Sequence, residues 1–475
     1  MTNTEREIAR TSLDEIRLEI AGINTKVPIF NGEKINYIYF DNAASTPALI
    51  TVLKTINDFM PWYSSIHRGS GFKSQISTSA YDDARQYVLK FFGGNSNDHT
   101  VVFGKNTTEA INKLSYRLEL TKDDVVLVGM MEHHSNDLPW RRAATVKRIH
   151  VLQNGAIDED HYEKLLEENY EKVKLVAISG GSNVTGHIPD IYSMAARAHD
   201  HGAMILVDCA QLAPHRRVDI GDLSDQRHLD FICISAHKMY APFGTGALIG
   251  RKDIFLVGEP EICGGGTIKV VTEDEVIWAD TPDRDEAGSP NVVGVVALAT
   301  ALAVLNEIGM DKIAAHETEL TSYSLAKLKK IPKVRIYGDS NPKTANNRLG
   351  VIPFNIEGIP HELTAAILSA EWGIGVRSGC FCAHPYVTKL LGIGSAGINK
   401  FSKEMAEGNR KEIPGLVRIS FGVYNTKQEI DRLEEAVINI ASGRIKGKYN
   451  QDRTSGEFHL DGWEPDFNRF FNRPY

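Results

Sequence analysis

The sequence is poor in cysteine and has no excess of positive charge. Its 475 residues include only five cysteines, too few for a disulfide framework. Such a chain fits a reduced compartment, and we expect a cytoplasmic protein. Lysine and arginine number 53 against 61 acidic residues, which gives a net charge of −8. This balance leaves no electrostatic basis for nucleic acid or an anionic membrane as the main partner.

Long apolar segments are also missing from the sequence. No hydrophobic run approaches the roughly 20 residues that a membrane-spanning helix needs. The first seven residues, MTNTERE, carry acids and lack the apolar stretch of a signal peptide. We therefore expect neither a membrane segment nor a signal for secretion.

What is present is an ordinary globular composition, 42% hydrophobic and 24% charged. Short apolar runs alternate with helical patterns up to about residue 300, which predicts βαβ units and a mainly parallel sheet. The predicted strands cover residues 37–40, 100–103, 125–128, 173–179, 204–207, 231–235 and 247–249, and the predicted helices cover residues 109–118, 162–169 and 191–199.

The pattern changes after residue 291, where an apolar helix over residues 295–308 precedes a second α+β unit. Its predicted strands cover residues 334–337, 350–354 and 417–421, and one more helix is predicted over residues 5–20. We expect four parts: an N-terminal segment (1–35) that packs with the small domain, a large domain (36–295), a small C-terminal domain (296–445) and an aromatic extension (446–475). The aromatic residues of the extension suggest that it docks on the body or on a partner.

Two residues at predicted strand ends suggest one kind of chemistry. Lys238 follows the apolar run 231–235, and partial burial there disfavours its ammonium form, so that it can hold an aldehyde as a Schiff base. Asp208 ends the preceding strand and can pair with a protonated ring nitrogen, as pyridoxal phosphate enzymes require. Alone, Lys238 could be a solvated lysine and Asp208 a turn cap. Together they suggest a pyridoxal phosphate site.

With these residues the chain resembles the class V aminotransferase fold family, and within it the cysteine desulfurases of the sulfur-mobilising type. The resemblance extends from about residue 39 to residue 426. It implies the α/β fold of PLP-dependent transferases (aspartate aminotransferase-like), with a mainly parallel seven-stranded sheet in the large domain and a smaller α+β domain. It also implies pyridoxal 5′-phosphate as cofactor, a small amino-acid substrate and a homodimer with shared active sites.

A phosphate cradle is predicted where strand 100–103 leads through a polar loop into the next helix. Free N–H groups and the helix dipole bind phosphate at such a terminus, although Thr107 or Thr108 could simply be the N-cap. By resemblance both threonines bind the phosphate, and Ser235 and His237 add contacts. The loop 285–290 resembles the Glu-Ala-Gly-Thr-Pro loop that reaches the neighbouring subunit's phosphate in relatives, with Ser289 in place of threonine.

Three further residues are assigned to the cofactor ring by resemblance. His133, in Met131-Glu132-His133-His134, stacks on the ring and relays protons, since an imidazole can do both. Asn183 contacts the ring hydroxyl or the substrate, and Gln211 binds the same hydroxyl. A metal bound by the adjacent histidines is disfavoured because neighbouring residues do not face one ion easily, and we predict no metal site.

The segment 375–385 resembles the desulfurase loop Arg-Thr-Gly-x-x-Cys-Ala, which assigns the nucleophile to Cys382. A thiolate on a mobile loop can take sulfur from the substrate as a persulfide and leave alanine. A buried structural cysteine is the common alternative, and two thiolates are too few for structural zinc. Cys380 stands where these relatives carry histidine, and the form Gly-Cys-Phe-Cys also resembles the aminotransferase-like domain of molybdenum-cofactor sulfurases. Cys380 could resolve a persulfide or be inert.

Substrate binding is assigned by resemblance to Arg418, whose planar guanidinium suits a carboxylate. Arg377 is predicted to help, and His67 and Ala43 complete the substrate-side residues. Between Cys382 and Arg418 lie 35 residues, more than in the sulfur-mobilising relatives. This insertion leaves the substrate and a possible sulfur-acceptor protein open.

We therefore predict a PLP-dependent cysteine desulfurase in which Lys238 binds the cofactor and moves the α-proton. The same scaffold also resembles selenocysteine lyases, thioether or sulfoxide lyases and amino-acid epimerases, none of which requires Cys382. A pyridoxal-binding scaffold without activity is the non-enzyme alternative.

Overall fold

The computed structural model describes residues 13–67, 69–471 and 473–474. Of the helix predicted over residues 5–20, the described part is α1 (Leu13–Leu18), and residues 5–12 lie outside the described residues. Ile16 belongs to the main hydrophobic core, whereas Arg17 donates a 2.7 Å hydrogen bond to Glu429 near the C-terminus. The N-terminal segment therefore contacts both the main core and the later helix that carries Glu429.

Strands and helices alternate through the first 250 residues. In chain order they are β1 (Lys26–Pro28), β2 (Lys34–Asn36), β3 (Ile38–Tyr39), α2 (Ile50–Phe59), α3 (Phe72–Phe91), β4 (His99–Gly104), α4 (Thr107–Arg117), β5 (Val125–Gly129), α5 (Leu138–Ala143), β6 (Thr145–Ile149), α6 (Glu159–Glu168), β7 (Val173–Ser179), α7 (Ile191–Asp200), β8 (Met204–Asp208), β9 (Phe231–Ser235) and β10 (Gly246–Arg251).

Seven of these strands form one sheet in the order β4-β10-β9-β8-β7-β5-β6. The strands from β9 to β6 run parallel, and β10 is antiparallel to both β9 and β4. All five residues of β5 and of β9 are buried, as expected for inner strands with both faces covered. The predicted mainly parallel sheet is confirmed.

Several elements of this part were not predicted from the sequence, among them β6 and α3. Strand β6 lies at the sheet edge and is largely polar, with Lys147 and Arg148 partly exposed. Helix α3 has few large apolar residues, because small side chains such as Ser74 and Ser77 occupy part of its buried face. Hydrophobic periodicity is weak in both segments, and periodicity was the signal available.

The second half of the chain continues the fold and ends in a small hairpin. Its elements are β11 (Ile268–Val271), β12 (Val276–Trp278), α8 (Val292–Ile308), α9 (Met310–Leu328), β13 (Val334–Ile336), β14 (Val351–Ile356), α10 (His361–Trp372), β15 (Ile374–Gly375), β16 (Arg377–Gly379), α11 (His384–Leu390), α12 (Ser395–Ala406), β17 (Leu416–Ser420), α13 (Lys427–Ala441), β18 (Tyr449–Gln451) and β19 (Phe458–Leu460).

A second, antiparallel sheet has the order β13-β14-β17-β16. Leu320 of α9, Leu368 of α10 and Leu433 of α13 share one hydrophobic cluster with Phe354 and Ile419 of the sheet. This is the smaller α+β unit that the fold class predicts. Because β17 carries Arg418, the packing of this unit sets the position of that guanidinium.

The C-terminal extension docks on helix α10 through its hairpin. The carboxylate of Glu371 accepts hydrogen bonds from the Lys446 and Gly447 N–H groups at 3.0 and 2.9 Å and from the Tyr449 hydroxyl at 3.1 Å. Beyond the hairpin, the tail exposes Phe467, Phe470 and Phe471.

The insertion between Cys382 and Arg418 forms α11 and α12, and no residue of α12 is buried. Its end is attached to the C-terminal hairpin. The Arg410 N–H donates to the Arg453 carbonyl at 2.9 Å, and the Gln451 amide donates to the Lys411 carbonyl at 3.0 Å. The insertion and the C-terminal extension therefore support each other.

Within residues 13–67, 69–471 and 473–474, no single helix is long and apolar enough to cross a bilayer. Only α8 and α9 taken together meet that criterion, and they meet at a 76° bend.

Candidate active site

A cavity of about 390 Å³ lies where the parallel strands of the main sheet end. The carboxyl ends of β5, β7, β8 and β9 are followed or occupied by residues that face this space, as is usual for ligand sites in parallel sheets. Most of the predicted site residues line it: Ala43, Thr107, Thr108, His133, Asn183, Asp208, Gln211, Ser235, His237, Lys238, Arg377, Cys382 and Arg418.

Lys238 lies in a single 3-10 turn, Ala236–Lys238, directly after β9. Its side chain is half-buried because it faces the cavity. Burial lowers the pKa of Lys238 from its usual 10.5 to about 8, with Asp208 opposing the shift and Arg418 adding to it. A substantial fraction of this amine is therefore unprotonated at slightly alkaline pH.

Asp208 is the last residue of β8 and is buried at the cavity wall. It accepts a 2.9 Å hydrogen bond from the Ala210 N–H. Burial raises the pKa of its carboxyl, while this hydrogen bond and nearby Lys238 lower it. A buried carboxylate of this kind favours a cationic partner inside the cavity.

The polar end of the cavity is built around the N-terminus of α4. Asn106 caps the helix by accepting from the Glu109 N–H at 3.1 Å. The Thr107 hydroxyl lies 2.8 Å from the Ser235 hydroxyl, and the Thr108 hydroxyl lies 2.6 Å from that of Ser135. The alternative that Thr107 or Thr108 is the N-cap is wrong, because Asn106 has that role. The hydroxyls and the helix dipole suit an anionic group.

His133 reaches the cavity from the turn after β5. Its Nδ1 accepts from the Ser135 N–H at 3.1 Å, which places the ring proton on Nε2. Burial, and then nearby Lys238, lower the pKa of His133 to about 3. The imidazole is therefore neutral at neutral pH. On the other side of the cavity, His237 lies with its Nδ1 3.3 Å from the Ser45 hydroxyl.

Two arginines at the cavity share one carboxylate. Arg418 binds Asp41 at 2.9 Å and donates to the Asn183 carbonyl at 2.9 Å, and Arg377 binds Asp41 at 3.1 Å. Arg418 is 2% exposed, and its Nε has no hydrogen-bond partner among the described residues. The Phe381 ring lies 4.7 Å from the Arg418 guanidinium carbon. Asp41 was not among the predicted site residues.

Asn183 and Gln211 hold neighbouring backbone segments in place. The Asn183 amide donates to the Phe381 carbonyl at 2.7 Å, and the Gln211 amide donates to the Ala43 carbonyl at 2.6 Å. Both side chains thus join strand-end loops of the main sheet to the loops that close the cavity.

The two cysteines of the segment 375–385 have different environments. Cys382 is exposed and lines the cavity. Cys380 is buried, and its thiol donates to the Pro414 carbonyl at 3.0 Å. Burial raises the pKa of Cys380 to about 12. The Cys380 thiol is therefore protonated at neutral pH, whereas Cys382 is accessible to a ligand in the cavity.

Ser289 and His67 do not lie with the other predicted residues. Both line a second cavity of about 710 Å³, beside the glycine loop that contains Gly265 and Gly266. Arg68, next to His67, lies outside the described residues. In one chain the structure therefore separates these two residues from Lys238.

The loop that carries Ser289 is anchored by Glu286. This buried carboxylate accepts from the Tyr81 hydroxyl at 2.6 Å, from Arg85 at 2.7 Å and from the Phe103 N–H at 2.6 Å. Three groups from two other elements, α3 and β4, thus fix the start of the loop 285–290.

A buried acid behind the cavity was not predicted from the sequence. Glu132 accepts from the Ser179 N–H at 2.9 Å and the Asn136 amide at 2.7 Å, and lies 2.6 Å from the Ser179 hydroxyl. Burial raises its pKa to about 8. Because Ser179 pairs with Asp208 in the sheet register, Glu132 supports the strand ends that carry the site. An acid three residues beyond the end of an apolar strand was the available signal.

Comparison with known proteins identifies relatives over most of the chain. The profile of the aminotransferase class-V family matches residues 38–433. A probable cysteine desulfurase from Halalkalibacterium halodurans is 34% identical over 410 residues, which cover 84% of this chain and 92% of that protein. A cysteine desulfurase from Haloferax volcanii is 33% identical over 84% of this chain and 88% of its own length.

Solved structures of similar fold agree with these sequence relatives. An apo cysteine desulfurase from Thermococcus onnurineus aligns with a TM-score of 0.77 and 30% identity, covering 90% of this chain and 98% of its own. A cysteine desulfurase from Escherichia coli aligns with a TM-score of 0.74 and 26% identity, covering 92% of this chain and all of its own.

Proposed function

Because the chain belongs to the aminotransferase class-V family, we propose that it is a pyridoxal phosphate-dependent cysteine desulfurase. It removes sulfur from L-cysteine and forms alanine and a persulfide on Cys382. Relatives with this activity in their names, at 33–34% identity, support the proposal. The observation that carries it is that Lys238, Arg418 and Cys382 line one cavity.

The residues around the cavity fit pyridoxal 5′-phosphate. Thr107, Thr108 and the helix N-terminus would hold its phosphate, with Ser235 and His237 alongside. Asp208 would keep its ring nitrogen protonated, and Lys238 would bind its aldehyde carbon. When bound, the cofactor acts as an electron sink that stabilises negative charge on the substrate's α-carbon.

Lys238 is the group that we propose to accept the α-proton. A pKa of about 8 leaves part of the amine unprotonated near neutral pH, as a general base requires. His133, with a pKa of about 3, is too weak a base to compete for that proton. Its low pKa favours a role in stacking on the ring, with its Nε2–H available as a donor.

Arg418 would bind the substrate carboxylate. Its buried Nε lacks a partner, so a carboxylate in the cavity would satisfy a donor that the protein leaves unpaired. Asp41 already neutralises part of the charge on Arg418 and Arg377. We expect Asp41 to orient the two guanidinium groups, and to limit how tightly they hold the product alanine.

Sulfur transfer to Cys382 balances without a further reactant. The Cys382 thiolate attacks the substrate sulfur and forms an S–S bond, while the Cβ–S bond breaks and its electron pair remains on the carbon skeleton. Protonation of that carbon completes alanine, and the terminal sulfur remains on Cys382. Reduction of the persulfide by a thiol, or transfer to an acceptor protein, would then restore the enzyme.

The separate position of Ser289 and His67 supports a homodimer. Because both line a cavity away from Lys238, they can serve a cofactor only if it belongs to another copy of the chain. Nearby, the β11–β12 hairpin exposes Val270, Val271 and Ile277, which a second copy would cover.

The decisive experiment measures both products in the cofactor-loaded protein. With L-cysteine, we expect alanine and one added sulfur on Cys382, located by mass spectrometry. Cys382→Ala should reduce alanine formation by at least about 100-fold, because the nucleophile is lost. Cys263→Ser is the matched control, since Cys263 is also exposed but does not line this cavity.

Other outcomes would overturn the proposal. Full alanine formation by Cys382→Ala would favour a lyase that does not use this thiol, of the selenocysteine or thioether type. Racemised amino acid would favour an epimerase. A cofactor absorbance that responds to no amino acid would favour the scaffold without activity.

A further inference from the structure

The loop that carries Cys382 has an unfavourable backbone conformation. Phe381 and Cys382 both have positive φ, 53° and 54°, although neither is glycine. Residues other than glycine in the left-handed region cost on the order of 1 kcal/mol or more each, and they persist where surrounding contacts impose the conformation. The contacts that hold this loop therefore determine where the thiol lies.

In addition to the hydrogen bond from Asn183 to the Phe381 carbonyl, contacts come from the turn after β5. The His134 N–H donates to the Cys382 carbonyl at 2.8 Å, which fixes the strained residue itself. Two residues further on, the His384 N–H and the His384 Nδ1 lie 3.4 and 3.1 Å from the His134 Nε2. The two imidazoles are nearly parallel, at an interplanar angle of 7°. His134 thus holds the chain on both sides of Ala383.

The proton positions in this histidine pair follow from the backbone contact. A backbone N–H can only donate, so the His134 Nε2 must accept and its own ring proton lies on Nδ1. The His384 Nδ1 then carries the proton that the two rings share. Burial lowers the pKa of both imidazoles, so both are neutral at neutral pH.

We propose that His134 and His384 are positioning residues that hold the Cys382 thiol over the cavity for sulfur transfer. This inference rests on the proposed desulfurase function and adds a role for two histidines outside the cavity lining. His384 begins α11 directly after the strained residues, and His134 lies in the turn after β5 of the main sheet, so the pair fastens a strained segment to the sheet. Loss of the pair lets the loop relax and moves the thiol away from the substrate sulfur.

The test compares two variants of His384 in the cofactor-loaded full chain. His384→Leu removes the shared proton, whereas His384→Asn keeps an N–H donor near the position of Nδ1. Stopped-flow absorbance of the bound cofactor reports the reaction of L-cysteine before Cys382 is needed. Quenched single-turnover mass spectrometry reports the Cys382 persulfide.

We expect His384→Leu to slow persulfide formation about 10- to 100-fold, because a displacement of about 1 Å can have an effect of that size. The absorbance change with cysteine and its concentration dependence should stay within about twofold of wild type, since Cys382 does not act in that step. His384→Asn should recover persulfide formation to within about threefold of wild type. A melting curve and the cofactor absorbance verify that each variant is folded and loaded.

Some results would overturn the proposal. Wild-type persulfide formation by His384→Leu, or equal slowing of both steps without recovery by His384→Asn, would show that the pair does not position the thiol. If His384→Leu does not fold, His134→Leu and His134→Gln give the same comparison, since glutamine keeps an acceptor near Nε2. A wild-type protein that forms no persulfide would overturn the proposed function and this inference together.

Discussion

The low pKa of Lys238 leads to a quantitative prediction for how the stability of the protein without cofactor depends on pH. Lys238→Met keeps a side chain of similar length but removes the amine from its half-buried position at the cavity. Wild-type Lys238 holds its proton up to about pH 10.5 when the chain is unfolded, but only to about pH 8 when it is folded. The unfolded state therefore binds more protons, and wild-type stability falls as the pH decreases from 10.5 to 8.

The size of the effect follows from this difference in proton affinity. A tenfold difference in proton affinity corresponds to about 1.4 kcal/mol. If the whole pKa difference of Lys238 between the unfolded and folded states acted on stability, it would destabilise the wild type by about 3 kcal/mol at pH 7. Water in the cavity screens a half-buried amine, and we therefore expect about 2 kcal/mol. The penalty should decline to less than about 1 kcal/mol at pH 10, where the folded state has lost the proton and the pH is close to the pKa of the unfolded state.

Urea unfolding of the two apoproteins at pH 7, 8, 9 and 10 measures this difference directly. Every other titrating group is common to both proteins, so only the Lys238 contribution changes with pH in the difference. Lys238→Met should be more stable at pH 7, and its advantage should shrink steadily towards pH 10. A difference that is constant from pH 7 to pH 10 would refute the inferred low pKa of Lys238.

Two further predictions concern stability. Glu286→Gln leaves Arg85 buried without its anion and should lower the free energy of unfolding by about 3 kcal/mol, measured by urea unfolding, whereas Glu168→Gln in the exposed 3.7 Å pair with Lys164 should cost less than about 1 kcal/mol. An equal loss of unfolding free energy in the two variants would contradict the conclusion that burial makes the Glu286–Arg85 pair the more important one. Thr426→Ala removes the capping box of α13 and should cost about 1 kcal/mol with unchanged alanine formation, because Thr426 lies outside the cavity. An unchanged stability would show that the cap contributes nothing.

The strands that could be predicted are those buried on both faces. The predicted bounds of β7 and β9 agree with the structure, because an apolar run between polar ends leaves little freedom in placement. Helix α8 begins three residues earlier than predicted, since Asn291 caps it by accepting from the Gly294 N–H. Cap geometry and edge strands depend on contacts that hydrophobic periodicity does not encode.

Site residues were predictable where sequence order and sheet order coincide. Asp208 and Lys238 lie at the ends of adjacent parallel strands, so both reach the same edge. Asp41 lies 377 residues from Arg418 in the chain, and nothing local to either residue indicates their contact. The pairing of His134 with His384 was missed for the same reason.

Two residues that follow Arg418 in the chain, Tyr424 and Asn425, have structural roles. Asn425 accepts from the Gly422 N–H at 2.7 Å, and Tyr424 donates to Asn42 at 2.8 Å. These side chains join the loop after β17 to the loop after β3. Resemblance to a family alone could not distinguish these structural residues from Arg418, which faces the cavity.

The bonds between the insertion and the C-terminal hairpin limit how this chain can be shortened. Arg410 and Lys411 are held by Arg453 and Gln451, so truncation before residue 449 would also release the end of the insertion that precedes Arg418. Removal of the insertion alone would take these two hydrogen bonds from the hairpin. Helix α12 with the loop to Lys411 and the hairpin are therefore coupled, and a shortened enzyme that keeps α11 and His384 would have to lose both together.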